Sequence, residues 1–294
     1  MSLRVRFVEV LRRILAHPGW RGWVLFWVLR GLVGLVSPRS DISLDNLARA
    51  YPQKSPHWHR RILNAMYDHF SWMAVEYLAL IDDPSQALRW VRRVRGREFL
   101  DSLLRRGEGC VILAGHGGNW ELLSAWLCQS GYPLYAAVRD PNLCDFAELM
   151  ERYRRTVGLR TLRRERQGVR EMFRLPREGG FLGLVADQDG GPLGVPVRFF
   201  GRWCSMPGGP ASIAAVARVP VVPLSIQRLA PFVHEVTIEE PLYPLEGVSR
   251  KKQMTILSQR LSSVLEDMVR RKPDEWLWMH RRWKTKLFPS VTDV

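Results

Sequence analysis

The apolar run Cys110-Val111-Ile112-Leu113-Ala114 passes directly into Gly115-His116-Gly117-Gly118-Asn119-Trp120-Glu121. No other juncture constrains the fold as much. Five consecutive apolar residues have the character of a buried strand. The glycines that follow allow a sharp turn, and the pattern predicts a helix starting near Trp120. A buried strand that ends in a glycine turn and opens a helix suits an open α/β sheet. Such a sheet binds ligands outside the carboxyl ends of its strands.

The rest of the chain repeats that alternation. Helices are predicted at about 56–81, where Ile62, Leu63, Met66, Phe70, Met73, Tyr77 and Leu78 recur at three- and four-residue spacing, and at 97–105. A strand at Tyr132–Val138 precedes a helix at Asp145–Thr156. A strand at Phe181–Ala186 runs into Asp187-Gln188-Asp189-Gly190-Gly191. A helix at Pro210–Arg218, strands at Val219–Ile226 and Val233–Glu239, and a helix at 250–271 complete the series. Strands alternating with helices give an α/β layer with a mainly parallel sheet. At 294 residues the chain can bury a full core.

The first 36 residues differ from the rest. Gly19–Val36 is strongly apolar and carries Trp20, Trp23 and Trp27, yet Arg21 and Arg30 interrupt it, and Arg4, Arg6, Arg12 and Arg13 lie upstream. A spanning helix needs roughly 18 or more apolar residues without charge. Residues 1–36 therefore read as an interfacial membrane anchor, with a short or tilted span second and a soluble packing helix third. Residues 37–294 form the main domain.

The formal net charge is +15, and there are 12 tryptophans. So basic a chain expects an anionic partner: nucleic acid, anionic lipid or a phosphorylated substrate. Tryptophan in excess favours a membrane interface. The four cysteines form no C-x-x-C pair, and no spacing of carboxylates or thiols argues for a metal.

Four constellations carry possible chemistry. His116 and Glu121 stand in H-x₄-E spacing. A neutral imidazole can take a proton from an attacking hydroxyl, and a carboxylate on the other ring nitrogen fixes the tautomer. Gly117 and Gly118 would bring backbone amides near an oxyanion. The same spacing also fits a core histidine capped by a nearby acid. Asp187-Gln188-Asp189 sits at a second strand end and would lie beside His116, although Asp and Gly favour plain turns too. The Arg-rich stretch 151–177 either binds phosphate groups or forms a solvated helix face. Arg139, at the end of the 132–138 strand, is placed at the rim. The tail Asp274–Lys284, with three tryptophans, stacks on bases, lines an acyl pocket or closes the fold.

Taken in order, these pieces resemble the bacterial lipid A biosynthesis late acyltransferases of the lauroyl/myristoyl type, within the wider H-x₄-D/E glycerolipid acyltransferase superfamily. The resemblance rests on the N-terminal apolar helix, Asn46-Leu47 with Tyr51-Pro52, Glu76, Gly118-Asn119-Trp120-Glu121, Arg139, Arg154 ahead of Gly158, and Asp187-Gln188. It continues through Val197–Gly201, Gly209-Pro210-Ala211 and Trp278–Trp283. It implies an αβα layered acyltransferase fold. It also implies transfer of a fatty acyl group, without an acyl-enzyme, from an acyl-carrier-protein or coenzyme A thioester to a hydroxyl of a membrane glycolipid. The acceptor would be a lipid A precursor; phosphatidylinositol mannoside and lysophospholipid acceptors share the core.

In that scheme His116 is the general base and Glu121 its orienting partner. Gly117, Gly118, Asn119, Arg139, Arg154, Asp187 and Gln188 bind substrate or stabilise the oxyanion. No cofactor or metal is required, and the protein works at the cytoplasmic face of the inner membrane. Gly117 departs from a position often bulkier in the family. Two other classes compete. A nucleic-acid-binding protein explains the charge but not the 110–121 strand–turn–helix. A thioesterase-like hydrolase would release fatty acid without transfer.

Overall fold

The computed structural model describes residue 10 and residues 13–138, 144–163 and 165–286. Helices α1 (Trp20–Val36), α2 (Ser40–Ala50), α3 (Pro56–Leu80) and the short α4 (Gln86–Trp90) precede the first strand, β1 (Val91–Arg95). Then follow α5 (Arg97–Arg105), β2 (Cys110–Ala114), α6 (Trp120–Gln129), β3 (Leu134–Val138), α7 (Cys144–Val157), β4 (Arg160–Arg163), α8 (Arg166–Arg174) and β5 (Phe181–Val185). A hairpin of β6 (Val195–Phe199) and β7 (Arg202–Met206) leads to α9 (Gly209–Ala217), β8 (Val221–Ala230), β9 (Val233–Ile238) and α10 (Arg250–Arg271).

Seven strands form one sheet in the order β1-β9-β8-β2-β5-β3-β4. All neighbours run parallel except β8 and β9. Because β2 is covered on both faces, its side chains divide between two cores. Cys110 and Ile112 pack with Leu122, Leu123 and Leu127 of α6. Val111 and Leu113 pack with Ala211 and Ala214 of α9 and Leu261 and Leu265 of α10. Helices on both faces of a mainly parallel sheet match the α/β, mainly parallel arrangement that the alternation predicts and the αβα layering that the resemblance implies.

Several elements escaped the sequence. β1 and β4 are edge strands rich in arginine, which reads as a polar stretch; a charged edge resists pairing with another chain. Phe200 and Gly201, with φ of 51° and 71°, form the tight turn between β6 and β7. The Arg-rich stretch is not one helix face but three elements, α7, β4 and α8.

Helix α1 has two sides. Leu25 and Phe26 are buried, with Phe26 stacked on Trp72 of α3 at 4.6 Å. Arg30 turns to the same side and pairs with Asp68 of α3. The opposite side leaves Trp20, Trp27 and Leu35 at 70%, 65% and 86% exposure, with Val24, Val28 and Leu32 between them. Of the two arginines that interrupt the apolar run, Arg30 thus points toward the protein, while Arg21 stays exposed beside Trp20. No helix of the described residues is long and apolar enough to cross a membrane.

Candidate active site

Strand register builds the site. Ala114 of β2 lies opposite Val185 of β5, so two residues further along the parallel pair His116 comes opposite Asp187. The Asp187 carboxylate accepts from the His116 backbone amide at 2.7 Å and meets His116 Nδ1 at 2.7 Å. The oxygen that takes the backbone amide, Oδ2, also accepts from Trp276 Nε1 at 2.6 Å, and the imidazole has Oδ1 to itself. Burial alone would raise the carboxyl pKa, but the imidazole and these donors hold it down at about 2. Burial also works against a charged His116. The Asp187 carboxylate outweighs it, and the imidazole pKa ends above its usual 6.5. With Nδ1 tied to a carboxylate, the proton-accepting position is Nε2, which no described residue hydrogen-bonds.

The orienting contact predicted for Glu121 is therefore made by Asp187. Glu121 is the second residue of α6, and Arg154 approaches it to 3.7 Å from α7. Its side chain is nearly buried. Burial raises its carboxyl pKa, with Arg154 as the main opposing influence. Arg154 and Glu121 thus form a pair at the same cavity, while Asp187 alone grips the imidazole.

The glycine turn does a different job from the expected one. Gly118 adopts φ +63°, and a Cβ there would stand 1.7 Å from the Ile226 carbonyl oxygen. Its amide, expected to face an oxyanion, donates instead to the Glu275 carbonyl at 3.1 Å. Asn119 also turns inward. Its oxygen caps α6 by accepting from Leu122 N at 3.0 Å, and its amide donates to Glu76 of α3 at 2.9 Å. Gly117 bridges to Trp276. The tail holds this turn in place: the Leu277 amide donates to the His116 carbonyl at 2.9 Å. Arg139 lies outside the described residues, as do Arg4, Arg6, Arg12 and Arg164.

Beside the imidazole opens a cavity of about 290 Å³. His116, Trp120, Glu121, Ser124, Arg154 and Gln188 are its polar or aromatic members; Ile112, Leu123, Leu127, Leu134 and Leu159 are among its apolar walls. Its floor is cut by register. Ile112, Gly183 and Ala136 face one another across β2, β5 and β3, and the small residues on the central and outer strands leave the space open. A slot of this kind accepts an apolar chain and presents one end of it to a base.

Sequence reasoning missed three partners of the turn: Trp276, Glu275 and His69, whose Nε2 meets the Gly118 carbonyl at 3.1 Å. Each lies at least 49 residues from its partner in the chain, and no local pattern marks such a contact.

The profile of the family described as bacterial lipid A biosynthesis acyltransferase matches residues 28–285. A phosphatidylinositol mannoside acyltransferase of Mycobacterium tuberculosis is 28% identical over 155 residues, which is 52% of this chain and 49% of the relative. Its counterpart in Mycolicibacterium smegmatis is 29% identical over 120 residues, 40% of each chain. The chain thus spans half or less of the length of the curated relatives it matches. Among solved structures, the 1-acyl-sn-glycerophosphate (LPA) acyltransferase PlsC from Thermotoga maritima aligns over 86% of this chain and 97% of its own, at 16% identity and a TM-score of 0.42.

Proposed function

Because this chain belongs to the bacterial lipid A biosynthesis acyltransferase family, we propose that it transfers a fatty acyl group from a thioester donor to a hydroxyl of a membrane glycolipid. His116 is the general base. One observation carries the reading: an imidazole bound through Nδ1 to a buried carboxylate stands at the mouth of an apolar cavity. The acyl chain occupies the slot over Gly183 and Ala136, which brings its thioester carbonyl to the imidazole. As the acceptor oxygen attacks that carbonyl, Nε2 takes the hydroxyl proton. Asp187 steadies the resulting imidazolium without itself becoming protonated. The tetrahedral intermediate collapses, the C–S bond breaks, and the imidazolium returns its proton to the departing thiolate. Arg154 is the cation beside the developing oxyanion or a donor phosphate, with Glu121 fixing its direction.

No acyl-enzyme is needed. Burial pushes the Cys110 thiol far above its usual range and the Cys128 and Cys204 thiols up to about 11. None of these three described thiols is a ready nucleophile. The donor is an acyl-carrier-protein or coenzyme A thioester. The acceptor is a lipid A precursor, in keeping with the family. A phosphatidylinositol mannoside is the second acceptor to test, because the matching relatives are acyltransferases of that lipid. Residues 1–36 act as the membrane-associating segment of a 37–294 catalytic domain, with the exposed side of α1 against the cytoplasmic leaflet of the inner membrane.

The test offers purified protein both donors, in several chain lengths, with each acceptor in lipid vesicles, and reads products by mass spectrometry. Acylated glycolipid together with free thiol is the expected result. Fatty acid release without transfer would establish a hydrolase instead. Salt-sensitive DNA binding with no vesicle association would establish a nucleic-acid-binding protein.

A further inference from the structure

A buried polar network underlies the histidine turn. Glu76 sits near the C-terminal end of α3 at 0% exposure, yet each oxygen of its carboxylate accepts from two donors. Oε1 accepts from Arg228 Nε and the Phe232 amide, both at 3.0 Å. Oε2 accepts from the Arg228 guanidinium at 2.7 Å and from Asn119 at 2.9 Å. Arg228 also donates to Nδ1 of His69, whose Nε2 meets the Gly118 carbonyl. The Arg228 backbone amide reaches the Glu275 carboxylate at 3.1 Å, while the Glu275 carbonyl receives the Gly118 amide. The backbone N–H and C=O of Gly118, in the two peptide units that flank it, and the side chain of Asn119 therefore end on one connected cluster.

The sheet explains its location. β2 ends at Ala114, whereas β8 continues to Ala230, so the far half of β8 has no β2 partner. The turn after β2 packs against that open edge, with Gly118 close over the Ile226 carbonyl. Apolar side chains would fill the space under the turn with equal or better stability, since buried charges bring a desolvation cost. They would not fix the direction of a peptide unit. A carboxylate and a guanidinium, with hydrogen bonds of set geometry, do so.

We propose that the buried Glu76–Arg228 pair, acting with His69 through Gly118 and Asn119, is a positioning device that sets the pose of His116 against Asp187. Its residues are positioning residues, not catalytic ones, and the proposal rests on His116 being the base. Two variants test it. Asn119→Ser keeps a capping hydroxyl for α6 but releases Glu76. Glu76→Gln keeps the shape and removes the charge. For each, kcat and KM of acyl transfer, the thermal midpoint and the His116 titration by NMR are measured.

In both variants kcat is expected to fall about tenfold or more with KM within about twofold. The His116 midpoint falls as its grip on Asp187 loosens, and Asn119→Ser retains a midpoint of unfolding near that of the parent. Should Glu76→Gln fail to fold, Asn119→Ser decides alone. Unchanged kcat and unchanged His116 titration, with only the thermal midpoint lowered, would make the pair a structural element and overturn the proposal. If the parent protein transfers no acyl group but its His116 titration still responds to Glu76→Gln, the acyltransfer reading falls and the positioning device stands.

Discussion

The end of β5 and the first turn of α6 each bring a carboxylate toward His116, and the two are held in opposite ways. Asp187 accepts two hydrogen bonds from His116 and one from Trp276, and its pKa is drawn down to about 2. Glu121 is nearly enclosed too, but its one ion-pair partner among the described residues, Arg154, stands 3.7 Å away, and burial drives its pKa up. Both are largely buried; the donors differ. A carboxylate with three donors is fixed as an anion and can steady an imidazolium. One with a single distant cation is kept for orienting that cation. Proximity to the histidine is a poor guide to which acid serves it.

The strongest way to break this comparison is to remove its centre. His116→Ala should lower transfer by about 10²–10⁴-fold with the fold intact, measured as kcat with circular dichroism as control. Retention of more than about a tenth of the activity would end the general-base role. Next, Asp187→Asn should lower kcat/KM nearly as far, since the wrong tautomer disables the base, and shift its pH profile. Neutral imidazole is the competent base, so activity rises with pH through the His116 pKa, which lies above 6.5 in the parent. Without the Asp187 charge, burial is the dominant remaining influence and disfavours the imidazolium, so the inflection moves to lower pH. An unmoved inflection would mean that Asp187 does not control the base.

Glu121→Gln sharpens the contrast. If the residue only directs Arg154, kcat/KM falls about tenfold, or roughly 1.4 kcal/mol, while the pH inflection stays near that of the parent. A loss as large as that of Asp187→Asn would show that the two acids share the histidine. Stability, not activity, separates the glycines of the turn, and the smallest effect of all is at Gly117. Gly118→Ala places a Cβ at positive φ and only 1.7 Å from the Ile226 carbonyl oxygen, so it should cost more than about 2 kcal/mol in chemical denaturation. Gly117→Ala meets nothing closer than 3.6 Å and should stay within about 0.5 kcal/mol.

Much of this architecture was readable before any coordinates. The buried strand at 110–114, the helix start at Trp120, the helix at 97–105 and that at 250–271 coincide with the structure, because unbroken apolar runs and three- to four-residue periodicity report burial directly. The arginine-coated edge strands β1 and β4 were not readable, since their sheet pairing comes from neighbours and not from apolar content. Glu76 and Asn46 belong to the recognised pattern without any local sign of their work. Asn46 donates to the carbonyls of Trp278 and His280 at 2.7 and 2.6 Å, and so ties the tail that backs His116.

By itself, the sequence determined that a histidine would leave a buried strand into a glycine turn at the carboxyl edge of an α/β sheet. Local apolar pattern and backbone freedom are enough for that. Which acid would hold the histidine was decided only by the tertiary structure. H-x₄-E places Glu121 five residues away along the chain. The parallel register of β2 and β5 places Asp187, 71 residues away, directly opposite. A hydrogen bond depends on where two groups meet in space, and strand pairing fixes that position more rigidly than spacing along a turn.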